Sequence, residues 1–330
     1  MKKLLILCFS LSLGKAYAQD PHYSQFFANP LTLNPALTGT GEGEGRLSAN
    51  LRNTWIGGTS PFSTGLLGFD KAILGNKLQS TDKLGLGGFA MYDQSNGGAL
   101  KSTALALSFA YLKGLDEVGT SSLSVGFQAS YANKRLDYSK LTFEDQFGSG
   151  GFNEEVPSGD AGLSNSRSYA DFNVGLAYHY QKDKMKATVG ATLNHLFAPT
   201  DYMWDNLSRK RRVTIHTGGQ YDLSQEASIE WNAIYQTKGK ATELAFGGAY
   251  GFRMNAQDPE AIQLWLGGYY RIDDALYPYL AVDYKNVRAG LSYDLTVSSM
   301  KAAASSRRSI EFSVLVRFAK KKVEEKPATK

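Results

Sequence analysis

Cysteine is almost missing from this chain of 330 residues: Cys8 is the only one, and it lies inside an apolar run at the N-terminus. Disulfides and thiolate metal sites are therefore excluded for everything downstream. Histidine is nearly as scarce, at His22, His179, His195 and His216. No two of them stand at the short helical or loop spacing that metal ligation requires. Long apolar runs are also lacking. Beyond Leu13 no stretch reaches the roughly 20 residues a membrane helix needs. Finally, the body of the chain lacks an excess of one charge. The formal net charge of +5 collects at the two ends. Lys2, Lys3 and Lys15 stand at the start, and Lys320, Lys321, Lys322, Lys326 and Lys330 outweigh Glu324 and Glu325 at the finish. The near-neutral middle offers no electrostatic footprint for nucleic acid.

What is present begins with an export signal. Lys2 and Lys3 precede the apolar run Leu4–Leu13, and Ala16-Tyr17-Ala18 supplies small residues at the cleavage positions. This order defines a secretory signal peptide over residues 1–18, with Gln19 as the mature start. Cys8 is not at the cleavage point, so lipoprotein processing is not expected.

After the leader the chain repeats one unit: about ten residues of alternating polarity, then a turn rich in Gly, Asn, Asp or Ser. Leu47, Ala49, Leu51 and Trp55 share one parity, with Asn53 as the exception, while Arg46, Ser48, Asn50, Arg52 and Thr54 share the other. Leu123, Val125, Phe127, Ala129 and Tyr131 alternate with Ser122, Ser124, Gly126, Gln128 and Ser130. Phe172, Val174, Leu176 and Tyr178 alternate with Asp171, Asn173, Gly175 and His179. Ile310, Phe312, Val314, Val316 and Phe318 form one face of the last segment. About fourteen such segments fit between Glu44 and Ala319, the pattern of an all-β, antiparallel transmembrane barrel. The expected organisation is a leader (1–18), a non-strand segment (19–43), a barrel (44–319) and a basic tail (320–330). A soluble sandwich would also alternate. Against it stand the length of the segments, the leader, and Tyr277, Tyr279, Tyr284 and Tyr293 near strand ends, where interfacial girdles lie.

An even strand number puts both barrel ends in the periplasm and makes odd connections extracellular. The long connections, Asp137 to Ser168, Pro199 to Arg212 and Ser298 to Arg308, follow the fifth, seventh and thirteenth segments. Even connections such as Lys182–Lys184 and Ser224–Glu226 are mostly short, as barrels prefer. The expected location is the outer membrane of a Gram-negative cell, in contact with its lipid.

The inward parity carries both signs of charge. Arg46, Arg52, Arg253, Arg288 and Arg317 share it with Asp171, Glu230, Glu243, Asp283, Asp294 and Glu311. A single-sign ring would suggest an ion-selective pore. The mixture fits either a wet lumen or a closed, internally paired one. Glu311 and Arg317 on the last strand would neighbour Arg46 and Arg52 on the first, and are read as seam-closing pairs. Gly85, Gly87, Gly247, Gly251 and Gly290 also face inward, where curvature or an inserted plug needs small residues.

The segment between leader and first strand carries the most information. Pro21, Pro30 and Pro35 forbid a continuous helix. Tyr23, Phe26, Phe27, Leu31, Leu33 and Leu37 are nonetheless too apolar for a free linker, and Asn29-Pro30 and Asn34-Pro35 are turn starters. Its aromatics must be buried at the periplasmic mouth or in the lumen. Gln19-Asp20-Pro21, Tyr23-Ser24-Gln25-Phe26-Phe27 and Asn34-Pro35-Ala36-Leu37-Thr38-Gly39 resemble the N-terminal hallmark of the PorP/SprF family. These are outer-membrane proteins associated with type IX secretion and gliding motility in the Bacteroidota. The Lys-rich tail after Phe318 departs from a barrel ending on its last aromatic. The resemblance implies a non-enzymatic barrel without cofactor or metal. Its partners would be periplasmic and lipoprotein components of the secretion system, or the C-terminal domain of a large secreted adhesin. Asp20, Pro21, Tyr23, Ser24, Gln25, Phe26, Phe27, Asn29, Pro30, Asn34, Pro35 and Gly39 are the expected plug and partner-binding residues. The alternative is a passive porin or hydrophobic-compound channel.

Other chemistry finds little support. His195 falls on the apolar parity of its segment, near an end, and is expected to be interfacial rather than a ligand or the base of a membrane hydrolase. Gly41-Glu-Gly-Glu-Gly45 precedes no helix, and its acids would repel phosphate. Asp145, Glu154, Glu155 and Asp160 of the longest loop could bind calcium, but solvated loop acids are the simpler expectation.

Overall fold

A computed structural model describes residues 20–54, 62–73, 81–148, 150–153, 155–156, 165–201, 207–255, 257–258, 260–297 and 308–318. The expected leader, Trp55, the loop acids Glu154 and Asp160, and the basic tail lie outside the described residues.

The chain closes into one barrel of 14 antiparallel strands, each paired with its neighbours in sequence. They are β1 (Gly45–Thr54), β2 (Phe62–Ile73), β3 (Lys83–Ser95), β4 (Leu100–Gly114), β5 (Ser121–Leu136), β6 (Asn165–Lys182) and β7 (Met185–Asn194). The circuit continues through β8 (Arg212–Asp222), β9 (Ala227–Lys238), β10 (Ala241–Arg253), β11 (Gln263–Arg271), β12 (Ala275–Tyr284), β13 (Val287–Thr296) and β14 (Arg308–Phe318). Pairing of β1 with β14 closes it, with Gly45 opposite Phe318 and Arg52 opposite Glu311. Closure removes every sheet edge, which a bilayer would otherwise leave without hydrogen-bond partners.

The strand ends Leu136 and Asn165, Asn194 and Arg212, and Thr296 and Arg308, between which the longest connections run, lie at one mouth. The two-residue turn 183–184 and the turns 223–226 and 285–286 lie at the other, with the start of β1 and the end of β14. We call these the long-connection and short-turn mouths. Parity sets the two walls. Leu105, Leu107, Phe109, Phe127 and Leu266 stand on the outside, with Leu107 72% and Leu266 67% exposed. Such an uncovered apolar band suits lipid. Ser124, Gln128, Asp171, Asn232, Asp294 and Glu311 are buried on the inside. No helix of the described residues is long and apolar enough to cross a membrane.

Two of the expected girdle tyrosines are in the lumen instead. Tyr277 and Tyr279 share the inward parity with Ala275 and Ala281, and all four are buried. In Leu276-Tyr-Pro-Tyr-Leu280 apolar residues occupy both parities, so alternation alone could not orient the strand. Tyr284, of the opposite parity, faces outward.

Candidate functional site

The lumen is filled by the segment that precedes β1. Its prolines break it into three short turns, Phe26–Ala28, Pro30–Leu33 and Pro35–Leu37, with Pro30 and Pro35 at the starts where a missing N–H costs nothing. Of the two placements open to it, mouth or lumen, the aromatics take the lumen. The segment traverses the barrel from end to end. Asp20 is tied to residues around the long-connection mouth, whereas Gly39 sits against β2 and β3 near the short-turn mouth, from which β1 departs.

At its outer end Asp20 is held by four side chains. Its carboxylate meets Arg209, Arg212 (3.2 Å), Lys238 (3.1 Å) and His195 Nε2 (3.0 Å). Burial acts to raise the Asp20 carboxyl. The His195 hydrogen bond and the Arg209 and Arg212 charges outweigh it and hold the group well below the usual carboxylate range. His195 Nδ1 lies 2.5 Å from Asp171 on β6. This corrects the interfacial placement expected for His195. The residue follows the last position of β7 with φ 57°, which breaks the alternation and turns its ring inward to 6% exposure.

One turn further in, the plug meets the barrel seam. The Ser24 and Gln25 N–H groups donate to the Glu311 carboxylate at 2.7 and 3.0 Å. Arg52 donates at 3.0 Å to the same oxygen as Ser24 and at 2.9 Å to Asp294, and Asn50 donates at 2.8 Å to the oxygen that Gln25 uses. Ser24 Oγ donates to Asp294 (2.7 Å), which also receives Arg271 (2.8 Å). The Gln25 amide donates to the Glu311 carbonyl (2.8 Å) and accepts from Ser313 Oγ (2.6 Å). Glu311 is fully buried.

The aromatics follow. Phe27 stacks on Tyr269 at 5.1 Å and meets Tyr279 edge-on at 5.3 Å. It packs against the cluster formed by Trp265, Tyr269, Tyr277 and Tyr279 and against a second one formed by Phe26, Leu33, Ala36, Leu37 and Ile234. Asn29, Pro30 and Leu31 are buried beside them.

The Asn-Pro-Ala turn makes the closest approach. Asn34 Oδ1 accepts from the Ala36 N–H at 2.8 Å and caps the turn. Its Nδ2 donates to the Leu176 carbonyl and to His216 Nε2, both at 3.0 Å. A Cβ at Gly126 would overlap Pro35 and Ala36, and one at Gly175 would overlap Asn34. These glycines exist to admit the plug. Gly39, at φ +69°, leaves the lumen against Gly85, its N–H donating to Asp70 at 2.6 Å.

Most of the lumen charges are paired, though not all as expected. Arg52 and Glu311 do form a seam pair. Arg46 instead takes Asp70 on β2 at 2.8 Å. Arg317 faces Arg46 across the seam in register, so that half of the expected pairing is corrected: two cations stand opposite each other, and Arg46 turns to the neighbouring strand. Arg288 bridges Glu230 (2.8 Å) and Asp283 (2.7 Å) over the Trp265 ring. Glu243 lies partly buried on β10.

Sequence reasoning missed Asp70, Arg271, Arg212 and Lys238. The first two share the inward parity and were findable by it. Arg209-Lys-Arg-Arg212 reads as an ordinary solvated basic loop. Gly126 and Gly175 carried the inward parity but no sign of what they approach. Among the described residues, no three His, Cys, Asp or Glu side chains converge as metal ligands would.

Two cavities flank the plug. One of about 200 Å³ opens at the long-connection mouth, and one of about 570 Å³ at the short-turn mouth. With its lumen closed by its own N-terminal segment, the molecule is a plugged outer-membrane β-barrel. Its sequence matches the type IX secretion system membrane protein family PorP/SprF over residues 15–316. The chain belongs to that family. None of the curated proteins matches it in sequence. Among solved structures it is similar in fold to the toluene transporter TbuX of Ralstonia pickettii, with TM-score 0.50, 12% identity, and 87% of this chain and 93% of that one covered. A FadL homologue of Pseudomonas aeruginosa gives TM-score 0.51, 9% identity, and coverage of 86% and 93%.

Proposed function

We propose that this protein is a non-conducting docking barrel of the type IX secretion or gliding machinery. It holds secretion components, or the C-terminal domain of a secreted adhesin, at the outer membrane. The observation that carries this reading is the plug. It runs from one mouth to the other and spends its motif residues on buried bonds with the barrel wall. Solute transport would need those bonds broken at every passage, whereas a docking surface needs them kept.

Partner contact then belongs to the mouths rather than to the motif residues themselves. Ser24, Gln25, Asn34 and Ala36 are fully buried against the barrel and present no surface. The described part of the long connection, 137–148 and 150–153, and the basic stretch 207–212 are the surfaces offered on one side, and the cavity of about 570 Å³ those on the other. In this reading residues 1–18 are a cleaved leader, Gln19 starts the mature chain, and the barrel ends lie in the periplasm.

The test is affinity purification of the full chain from native membranes, beside a variant with 140–163 replaced by a short Gly-Ser linker. Docking predicts secretion components or an adhesin fragment with the native chain, and fewer of them with the variant while its barrel remains folded. Recovery of no such protein with either chain would contradict it.

A further inference from the structure

The outer wall carries a cluster of charge that neither the plug nor the lumen pairs account for. Lys101 on β4 and Arg135 on β5 are register partners near the long-connection mouth. By parity both stand on the outer face, Lys101 with Leu105 and Leu107, Arg135 with Phe127 and Tyr131. Like charges placed directly opposite destabilise a sheet. Lys140, from the connection after β5, adds a third cation: its ammonium and the Lys101 stem close on Gly98 in the β3–β4 turn. Asp137 lies in the field of Arg135 and Lys140 and offsets one of the three. Among the described residues, Glu144 and Asp145 of the next turn included, no acid forms an ion pair with Lys101, Arg135 or Lys140. A surplus of positive charge is left on the wall.

The register fixes what this surplus borders. Next on the same face comes Thr103 opposite Asn133, and then Leu105 opposite Tyr131, where the uncovered apolar band begins. Beside them on β6, Ser166 and Ser168 accept from the Asn133 amide at 2.9 and 2.8 Å. Cations, a hydroxyl and amide belt, and hydrocarbon surface thus follow one another within about 13 Å along the strand. A membrane lipid presents phosphate, polar head group and acyl chains in the same order. Two cations in register suit a phosphate, whose several oxygens accept from both. The belt crosses three strands, about 10 Å, the width of sugar rings rather than of one glycerol.

We propose that this face of β4–β6 binds an acylated, phosphorylated sugar, the glycolipid class of the outer leaflet. Lys101 and Arg135 donate to its phosphate, the Thr103, Asn133, Ser166 and Ser168 belt meets the sugar, and the acyl chains lie on Leu105, Leu107 and Phe127. The bound phosphate relieves the repulsion between the two cations. The inference goes beyond the docking role but rests on the orientation given with it, which sets the long-connection mouth outside.

The test titrates the purified full chain in detergent micelles with monophosphoryl lipid A and reads adducts by native mass spectrometry. The lipid should bind saturably. Dephosphorylated lipid A and phosphatidylglycerol should each bind about tenfold more weakly, and Lys101→Gln with Arg135→Gln should lose a similar factor. That double variant removes a repulsion, so without lipid its melting midpoint should stay level or rise, which shows that it folds. Equal binding of the dephosphorylated lipid or of phosphatidylglycerol, or unchanged binding by the double variant, would overturn the proposal. The lipid comparison needs no variant, so misfolding cannot obscure it. Thiol labelling of Ser139→Cys reads the orientation separately: label on whole cells supports it. Label only in permeabilised cells would put the patch in the inner leaflet and sink this site without touching the docking role.

Discussion

Arg52 on β1 and Glu311 on β14 are register partners across the barrel seam, and their side chains close to 3.0 Å around the backbone of Ser24 and Gln25. Plug and seam therefore share one buried carboxylate, and seating the plug and closing the barrel stabilise each other. Removing one partner of a buried ion pair strands the other, at a cost of roughly 3–5 kcal/mol. Glu311→Ala should destabilise the barrel by about that amount, since it leaves Asn50 and two plug N–H groups without their acceptor and Arg52 with Asp294 as its only carboxylate. Heat-modifiable gel mobility against temperature reads the loss. An unchanged midpoint would show that the seam does not depend on this carboxylate.

The Asn-Pro-Ala turn gives a second, sharper test, because Asn34 has three roles within one side chain. Asn34→Ala removes a cap and two tethers and should cost about 1–3 kcal/mol. Gly175→Ala leaves Asn34 intact and places a methyl where its side chain lies. It should displace the turn and raise proteolysis of the segment 20–43 in the folded barrel. If Gly175→Ala leaves protection of the plug unchanged, the turn does not pack as described.

Two groups of the plug fix a pH dependence. Burial, with the charges of Arg52 and Arg271, pushes the His22 imidazole well below its usual value. Below about pH 6.5 the unfolded chain takes up a proton that the folded one refuses, so stability falls. Asp20 is depressed too, and its contribution is present above about pH 3.9 and fades as pH drops through its lower folded value. The melting midpoint should thus decline as pH falls below about 6.5, and His22→Asn should make that decline shallower. A decline of the same slope in both proteins would remove His22 from the account.

Much of this architecture was legible because strand alternation is a direct readout of a wall with lipid on one side and a filled lumen on the other. The fourteen-strand count and the placement of long connections followed from it. Alternation failed where both parities are apolar, as at Tyr277 and Tyr279, and where a positive φ ends a strand, as at His195. The motif residues were legible as a buried segment, since three prolines and six large apolar side chains admit no other fate. Their direction was not. That Asp20 would reach the mouth opposite the start of β1 depends on Arg209, Arg212 and Lys238 meeting in space, and sequence spacing gives no hint of that. Gly126 and Gly175 were equally opaque, because a glycine records that something comes close without saying what.

The absence of cysteine after Cys8 makes the plug easy to probe. Pro21→Cys and Ser309→Cys each place a single thiol in a stretch that otherwise has none, one on the plug's outer end and one on the inner wall of β14. Spin labels there should report an immobilised plug in the native barrel and a mobile one at Pro21→Cys when Asp20→Asn is added. A label at Pro21→Cys that is mobile in the native barrel would contradict the tether.

The central claim is that the lumen is closed by the chain's own N-terminal segment, and planar-bilayer conductance of the purified full chain tests it most directly. The account predicts no large, steady open state for the native protein, and openings in a variant lacking residues 20–43 that still folds. Large steady channels from the native protein would contradict it and favour a porin.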